Sequence, residues 1–205
     1  MEEFGAVRKL RKWRPEIGGD IQQLGDAELL QRAQEGRNEA FHVLVDRHAD
    51  ALFGLAVRMV GNEADAEDVL QKTFMGAVRH LQVFEGRSSV KTWLTGILMR
   101  QAAKHHRSSY RRRKRESAHL SCRDESSLPE RDSDWGMSDA QIRMDVQTAL
   151  DSLSEEHRQV IVLREMEGMT YREMADCLDV PRGTVESRLY RARRKMQEVL
   201  GDYIE

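Results

Sequence analysis

The sequence predicts an all-α fold: two small helical domains joined by an acidic, flexible linker. Three observations carry that expectation. Proline occurs only three times in 205 residues, so little interrupts a helix. The strong helix formers Ala, Leu, Glu, Arg, Gln and Met are frequent, while aromatics make up 6%. Apolar residues recur at helical spacing in two blocks, and the stretch between them is rich in Ser, Asp and Glu and has no period.

Residues 1–20, MEEFGAVRKLRKWRPEIGGD, are charged from the start and lack the apolar run of a signal peptide. They read as a flexible basic extension. Asp26 stands in an N-cap position ahead of AELLQRAQEG, and Gly36 ends that first helix. Phe41, Leu44, Val45, Leu52, Leu55, Ala56 and Met59 define a second helix, stopped at Gly61 and Asn62. A third runs from about Ala64 to Leu81, with Val69, Leu70, Phe74 and Val78 as its apolar positions. Residues 82–90, QVFEGRSSV, form a loop. A fourth helix covers about 90–107 and leads into SSYRRRKR, residues 108–115. Two readings fit that run: an extension of the helix along duplex phosphates, or a solvated charge run.

Residues 116–138 form the linker, with Pro129 and Gly136 in it. The second block, 139–205, opens with Ile142, Val146 and Leu150 at i, i+4 and i+8. Ser154 is an N-cap, and Glu155 and Glu156 follow in the first turn, where the helix dipole favours acids. Gly168 ends that helix. Thr170 and Glu173 have capping-box spacing, so a short helix runs from Tyr171 to Cys177 or Leu178. DVPRG makes a turn, Pro181 suits the first turn of the next helix, and the last helix reaches about Leu200. Val185, Leu189, Met196 and Val199 form its inner face. Two short helices, a brief turn and a longer basic helix make a helix-turn-helix. Its second helix offers Arg182, Thr184, Glu186, Ser187, Tyr190, Arg191 and Arg194 to a major groove. The rival reading is a solvated face on a packed terminal helix.

The net charge of −2 conceals an asymmetry. Residues 1–115 carry 21 Lys and Arg against 15 Asp and Glu, 116–144 carry 3 against 7, and 145–205 carry 9 against 13. Cys122 and Cys177 belong to no Cys-x-x-Cys pair, which points to a reducing, cytoplasmic setting, and Cys177 suits a small core position. No apolar run approaches the ~20 residues of a membrane span. Phosphate-loop, dinucleotide and nucleophile-elbow fingerprints are missing, so no enzyme site and no cofactor are expected. His42, Asp46 and Asp50 follow one another at i, i+4 and i+8, but they lack a ligand from elsewhere. They read as a solvated face rather than a metal site.

Three stretches carry a resemblance to a known family. LSEEHRQVIVLREMEGMTYREMADCLDVPRGTVESRLYRARRKMQEVL resembles the C-terminal promoter-reading domain of bacterial sigma factors. NEADAEDVLQKTF resembles their polymerase-binding helix, and FEGRSSVKTWL the segment that opens the −10 promoter element. The motifs occur in the family's order and cover about residues 26–115 and 139–200. A short acidic linker stands where larger sigma factors carry a further domain, which is similar to the compact extracytoplasmic-function group. The resemblance implies a sigma region 2 over 21–115 and a sigma region 4 over 139–205.

It also implies roles. Asp65, Glu67, Asp68, Gln71 and Phe74 would dock on a coiled-coil helix pair of the largest subunit of core RNA polymerase, as a polar rim around one exposed aromatic. Phe84, Arg87, Lys91, Trp93, Arg100, Gln101, Lys104 and Arg107 would capture and read the melted −10 strand, with Tyr110 nearby. Aromatic faces stack bases there, and cations hold phosphates. Trp93 fits a plain core position equally well. Arg182, Thr184, Glu186, Ser187, Tyr190, Arg191 and Arg194 would read the duplex −35 element. The acidic linker would thread a basic polymerase channel or act as a spacer. An anti-sigma partner, often membrane-bound, is implied as well. The chain departs from the family pattern at Lys72, where an acid is common, at Gly96, where Arg is common, and at Arg100, where Asn is common. It departs again at Glu186, where many relatives have a basic residue. A glutamate there accepts from a cytosine amino group and repels phosphate. Two other functions compete: a stand-alone helix-turn-helix repressor on a palindrome, and a metal-dependent nuclease using His42, Asp46 and Asp50.

Overall fold

In the computed structural model, residues 19–119 and 139–201 are described, with the side chains of 20–109, 142 and 144–201. The basic extension to residue 18, the linker from residue 120 and Cys122 lie outside them. Among the described residues the secondary structure is helical throughout. The first unit holds α1 (Gly19–Gln22), α2 (Asp26–Gln34), α3 (Asn38–Val60), α4 (Glu63–His80) and α5 (Val90–His119). The second holds α6 (Asp139–Asp151), α7 (Glu155–Ile161), α8 (Tyr171–Leu178) and α9 (Arg182–Leu200). None of these helices is long and apolar enough to cross a membrane.

α3 is the spine of the first unit. It buries Leu44, Leu52, Leu55, Ala56 and Met59 against α2, α4 and α5, and Gly61 ends it at φ 83°. An L-residue with a side chain is strained at that angle, so glycine gives a clean stop. α4 is capped by Asn62, which accepts from the Asp65 N–H at 2.9 Å. Its buried face is Ala66, Val69, Leu70, Thr73, Phe74 and Ala77. Gly76 lets α5 approach: a Cβ there would sit 3.1 Å from the Ile97 side chain.

In the second unit, Ser154 caps α7 by accepting from the His157 N–H, and Thr170 and Glu173 form both halves of a capping box on α8. α7 runs on into a π-helical turn, Val162–Met166. Asp179 closes α8 in a left-handed conformation, φ 54° and ψ 50°, which Asp tolerates better than most residues. α9 buries Val185, Leu189 and Ala192.

Four details differ from the sequence expectation. Asp26 is not an N-cap: Gly25 takes that place, and the Asp26 carboxylate instead pairs with Arg47 and His48. Pro181 is the N-cap of α9 rather than a residue inside it. α5 continues to His119, past the expected linker start at 116, because no Pro or Gly stands between residues 97 and 119 to break it. Finally, the two units are packed together. Their buried apolar residues form one continuous cluster from Leu29 to Ala192.

Candidate nucleic-acid interface

The loop between α4 and α5 is held from both ends. The Gln34 side-chain amide donates to the carbonyls of Leu81 (2.8 Å) and Phe84 (3.0 Å), and Gln82 donates back to the Gln34 carbonyl at 2.8 Å. At the other end the Ser89 hydroxyl accepts the Thr92 N–H at 3.0 Å, starting α5. Between these anchors Phe84 stacks on Trp93, with ring centroids 4.6 Å apart and planes at 29°. Both rings are half-buried. They wall a cleft of about 610 Å³ together with His80, Val83, Glu85, Arg87, Arg100 and Asp179. An aromatic wall beside two guanidinium groups suits a planar base with a phosphate next to it. Trp93 is therefore neither plain core nor free: it is fixed by a stack and faces a cleft.

Along α5, Trp93, Arg100, Lys104 and Arg107 share one face, and the three cations are exposed. Gln101 is half-buried. Lys91 lies 3.4 Å from Glu167, Arg87 is 2.6 Å from Glu85, and Arg107 is 4.0 Å from Glu155. The side chain of Tyr110 and those of the basic run after it lie outside the described residues.

α9 presents the second surface. Arg182, Glu186, Ser187, Tyr190, Arg191 and Arg194 are exposed, and Thr184 is half-buried. Glu186, Ser187, Tyr190, Arg191, Arg194, Lys195 and Glu198 wall an open cleft of about 820 Å³ together with Gly183 and His157. His157 and Lys195 were not anticipated. Lys195 sits one turn after Arg191 and was legible from periodicity, whereas His157 arrives through the packing of α7 on α9. Glu186 is not isolated: the Arg182 Nε donates to its Oε1 at 2.8 Å. Arg182 also lies over the Tyr171 ring, 5.9 Å from its centroid. Arg182 is thus held from two sides with its remaining N–H groups free to point outward.

On α4 the expectation needs correction. Phe74 is 5% exposed and packs inward, so it cannot be a surface anchor. Asp65 belongs to the cap of α4, receiving Asn62 Nδ2 at 2.8 Å, with His105 at 3.2 Å. Glu67 is half-buried, while Gln71 and Asp68 are exposed, Asp68 lying 3.9 Å from Lys72. The exposed apolar residues of this helix are Met75 (50%) and Val78 (54%), with Val83 (70%) just after it. Asp68, Gln71, Met75 and Val78 follow helical spacing along one face. No group of His, Cys, Asp and Glu suited to a metal occurs among the described residues. Cys177 is buried, and burial pushes its thiol up to about 12, which leaves it an unreactive core residue.

The family models agree with this layout. Sigma-70 region 2 matches residues 44–113, and Sigma-70, region 4 matches residues 143–196. The chain is 33% identical over 188 residues to the ECF RNA polymerase sigma-E factor of Haemophilus influenzae, covering 86% of this chain and 95% of that one. It resembles the structure of CnrH in complex with the cytosolic domain of CnrY, with a TM-score of 0.63, 29% identity and coverage of 88% and 99%. It also resembles the sigma factor RpoE in complex with the anti-sigma factor NepR from Bartonella quintana, with a TM-score of 0.56, 30% identity and coverage of 77% and 94%. A held aromatic cleft, a basic helix behind it and a helix-turn-helix in the same chain thus fall on the matched regions, and the chain belongs to the extracytoplasmic-function sigma factors, which direct RNA polymerase in transcription initiation.

Proposed function

We propose that residues 21–115 dock on core RNA polymerase and open the −10 element, and that residues 139–205 read the −35 element. The observation that carries this reading is the Phe84–Trp93 stack, set in a cleft with Arg87 and Arg100 and continued by the cations of α5. A melted strand needs a stacking surface for a base and cations for its backbone, and both are here on a fixed scaffold. α9 supplies duplex recognition through Arg182, Thr184, Ser187, Tyr190, Arg191 and Arg194, with Glu186 setting the direction of Arg182. A stand-alone repressor would leave the α4 face and the aromatic cleft without a task.

The polymerase contact runs through Asp68, Gln71, Met75 and Val78, with Glu67 at its edge and Asp65 holding the end of the helix. Acids and an amide around two exposed apolar side chains form a rim around an anchor. The chain supplies no chemistry of its own and works where the chromosome is, in the cytoplasm. An anti-sigma protein is its second partner. The structures it resembles include complexes of this kind, and a membrane-bound inhibitor would hold it at the membrane until release.

Permanganate reactivity of thymines around −10, in complexes with core polymerase, tests the melting role. Trp93→Ala should lower that reactivity about tenfold or more, as expected for losing ~1–3 kcal/mol of base stacking, while leaving −35 footprints in place. Full reactivity with the variant would remove Trp93 from the melting site.

A further inference from the structure

Tyr171 is the first residue of α8, and its ring is shared by two cations. The guanidinium carbon of Arg164 lies 5.2 Å from the ring centroid, and that of Arg182 lies 5.9 Å away. A guanidinium within ~6 Å of an aromatic centroid is attracted by the quadrupole of the ring. The ring itself is held in place. It is half-buried, packs against the core and directly follows Thr170 of the capping box. Arg164 is fixed as well, because its Nη1 donates to the Met169 carbonyl at 2.8 Å.

A third cation joins the group. Arg193, about three turns after Arg182 along α9, donates to Glu165 Oε1 from Nε at 3.0 Å and from Nη2 at 2.7 Å. It also stands beside the Tyr171 phenol. Arg164 and Arg193 are thus committed to acceptors of the protein. Arg182 is committed through Nε alone, which donates to Glu186 Oε1 at 2.8 Å. Like charge on Arg164 and Arg193 opposes a swing of Arg182 back over the protein. Its two terminal nitrogens are left for an acceptor from outside.

The place of Arg182 gives this arrangement its meaning. Arg182 opens α9, and the start of a recognition helix is where side chains meet base edges. An arginine reads guanine with two N–H groups at once. A mobile arginine must lose rotamer freedom to do so, and one already held in place loses less. We infer that Tyr171 is a positioning residue for −35 recognition: its ring and the Glu186 carboxylate hold Arg182 so that the terminal nitrogens meet one base pair. Tyr171 acts through Arg182 and contacts no base itself. The inference rests on the reading of α9 as the −35 helix.

The test uses holoenzyme assembled from core polymerase and the full chain, and sequencing of the promoters it retains from a randomised library. Arg182→Ala should erase the preference at one position of the upstream element. Tyr171→Leu keeps apolar bulk without an aromatic face, and it should weaken the preference at that same position about two- to fivefold. Tyr171→Phe keeps the ring and should keep the preference; a loss as large as that of Tyr171→Leu overturns the role of the ring. The double variant of Tyr171→Leu and Arg182→Ala should lose no more than Arg182→Ala alone, because both act through one contact. A ring that only packs gives another pattern. Tyr171→Leu then lowers retention of all sequences alike, or its effect adds to that of Arg182→Ala, and either result overturns the positioning role. If Arg182→Ala changes nothing while Arg191→Ala alters the upstream element, the positioning role falls and the −35 reading of α9 stands. If no form selects an upstream element, both fall together. Should Tyr171→Leu not fold, the unaltered chain decides: nuclear Overhauser contacts should join the Tyr171 ring protons to the Arg182 side chain, and their absence overturns the inference.

Discussion

Phe74 and its neighbours show how a helix divides its labour. Leu70, Phe74 and Val78 fall at i, i+4 and i+8, and that spacing alone puts all three on one face. The inner stripe takes in Ala66, Thr73 and Ala77 beside Val69, Leu70 and Phe74, and it turns Val78 outward. Small and ambivalent residues carried the core there, so apolar periodicity pointed slightly off its centre. Phe74→Ala should cost about 3–5 kcal/mol of stability by urea unfolding, as for other buried aromatics. Met75→Glu should leave the unfolding midpoint nearly unchanged and weaken binding to core polymerase at least tenfold, losing an interface anchor of ~1.4 kcal/mol or more. A Met75 variant that competes normally for core polymerase would move the docking face elsewhere. Glu186 was legible as an unusual residue, but its ion pair with Arg182 was not, since it depends on rotamers. Glu186→Arg removes the group that directs Arg182, so the −35 preference should shift at the base Arg182 faces. An unchanged sequence preference would leave Glu186 as surface only.

Helix ends were the most legible elements, because a cap is a local device. Ser154, the Thr170–Glu173 box and Gly61 stand as their spacing predicts. The Thr170 backbone N–H and hydroxyl both donate to Glu173, and they hold its carboxyl below the usual range. Asp26 was misjudged because its partners lie 21 and 22 residues away, on α3. Burial alone would raise its pKa. Hydrogen bonds and charge from Arg47 and His48 outweigh burial and bring it below the ordinary 3.8. A lowered carboxylate stabilises the fold above its unfolded value, and that stability is lost as pH falls through the folded value. Asp26→Asn should therefore cost about 0.5–1 kcal/mol at pH 7, as a screened, partly exposed pair. The gap from wild type should close as pH drops below 3.8. A gap independent of pH would mean that the amide disturbs packing rather than charge.

At the scale of the whole molecule, the order of the parts was legible and their docking was not. Each motif is contiguous, so one sequence displays it. The seam joins Arg58 and Lys91 to Glu167, and Met59 to Arg158, residues up to 109 positions apart. No period links them. Arg158 is 2% exposed, which nothing in its local sequence announces. Burial pulls its pKa below the ordinary value, against the pull of Asp151 and Glu155. Gly96 was noted only as a departure from its family. Its reason appears with the Cys177 carbonyl beside it. The most direct test of the whole account is start-site sequencing of transcripts made by core RNA polymerase from a randomised promoter library, with and without this protein. The protein should create a new set of start sites, each preceded by two sequence elements near −10 and −35. Substitutions at Arg182 or Arg191 should alter the upstream element, and substitutions at Trp93 or Arg100 the downstream one. Identical start sites with and without the protein would contradict it.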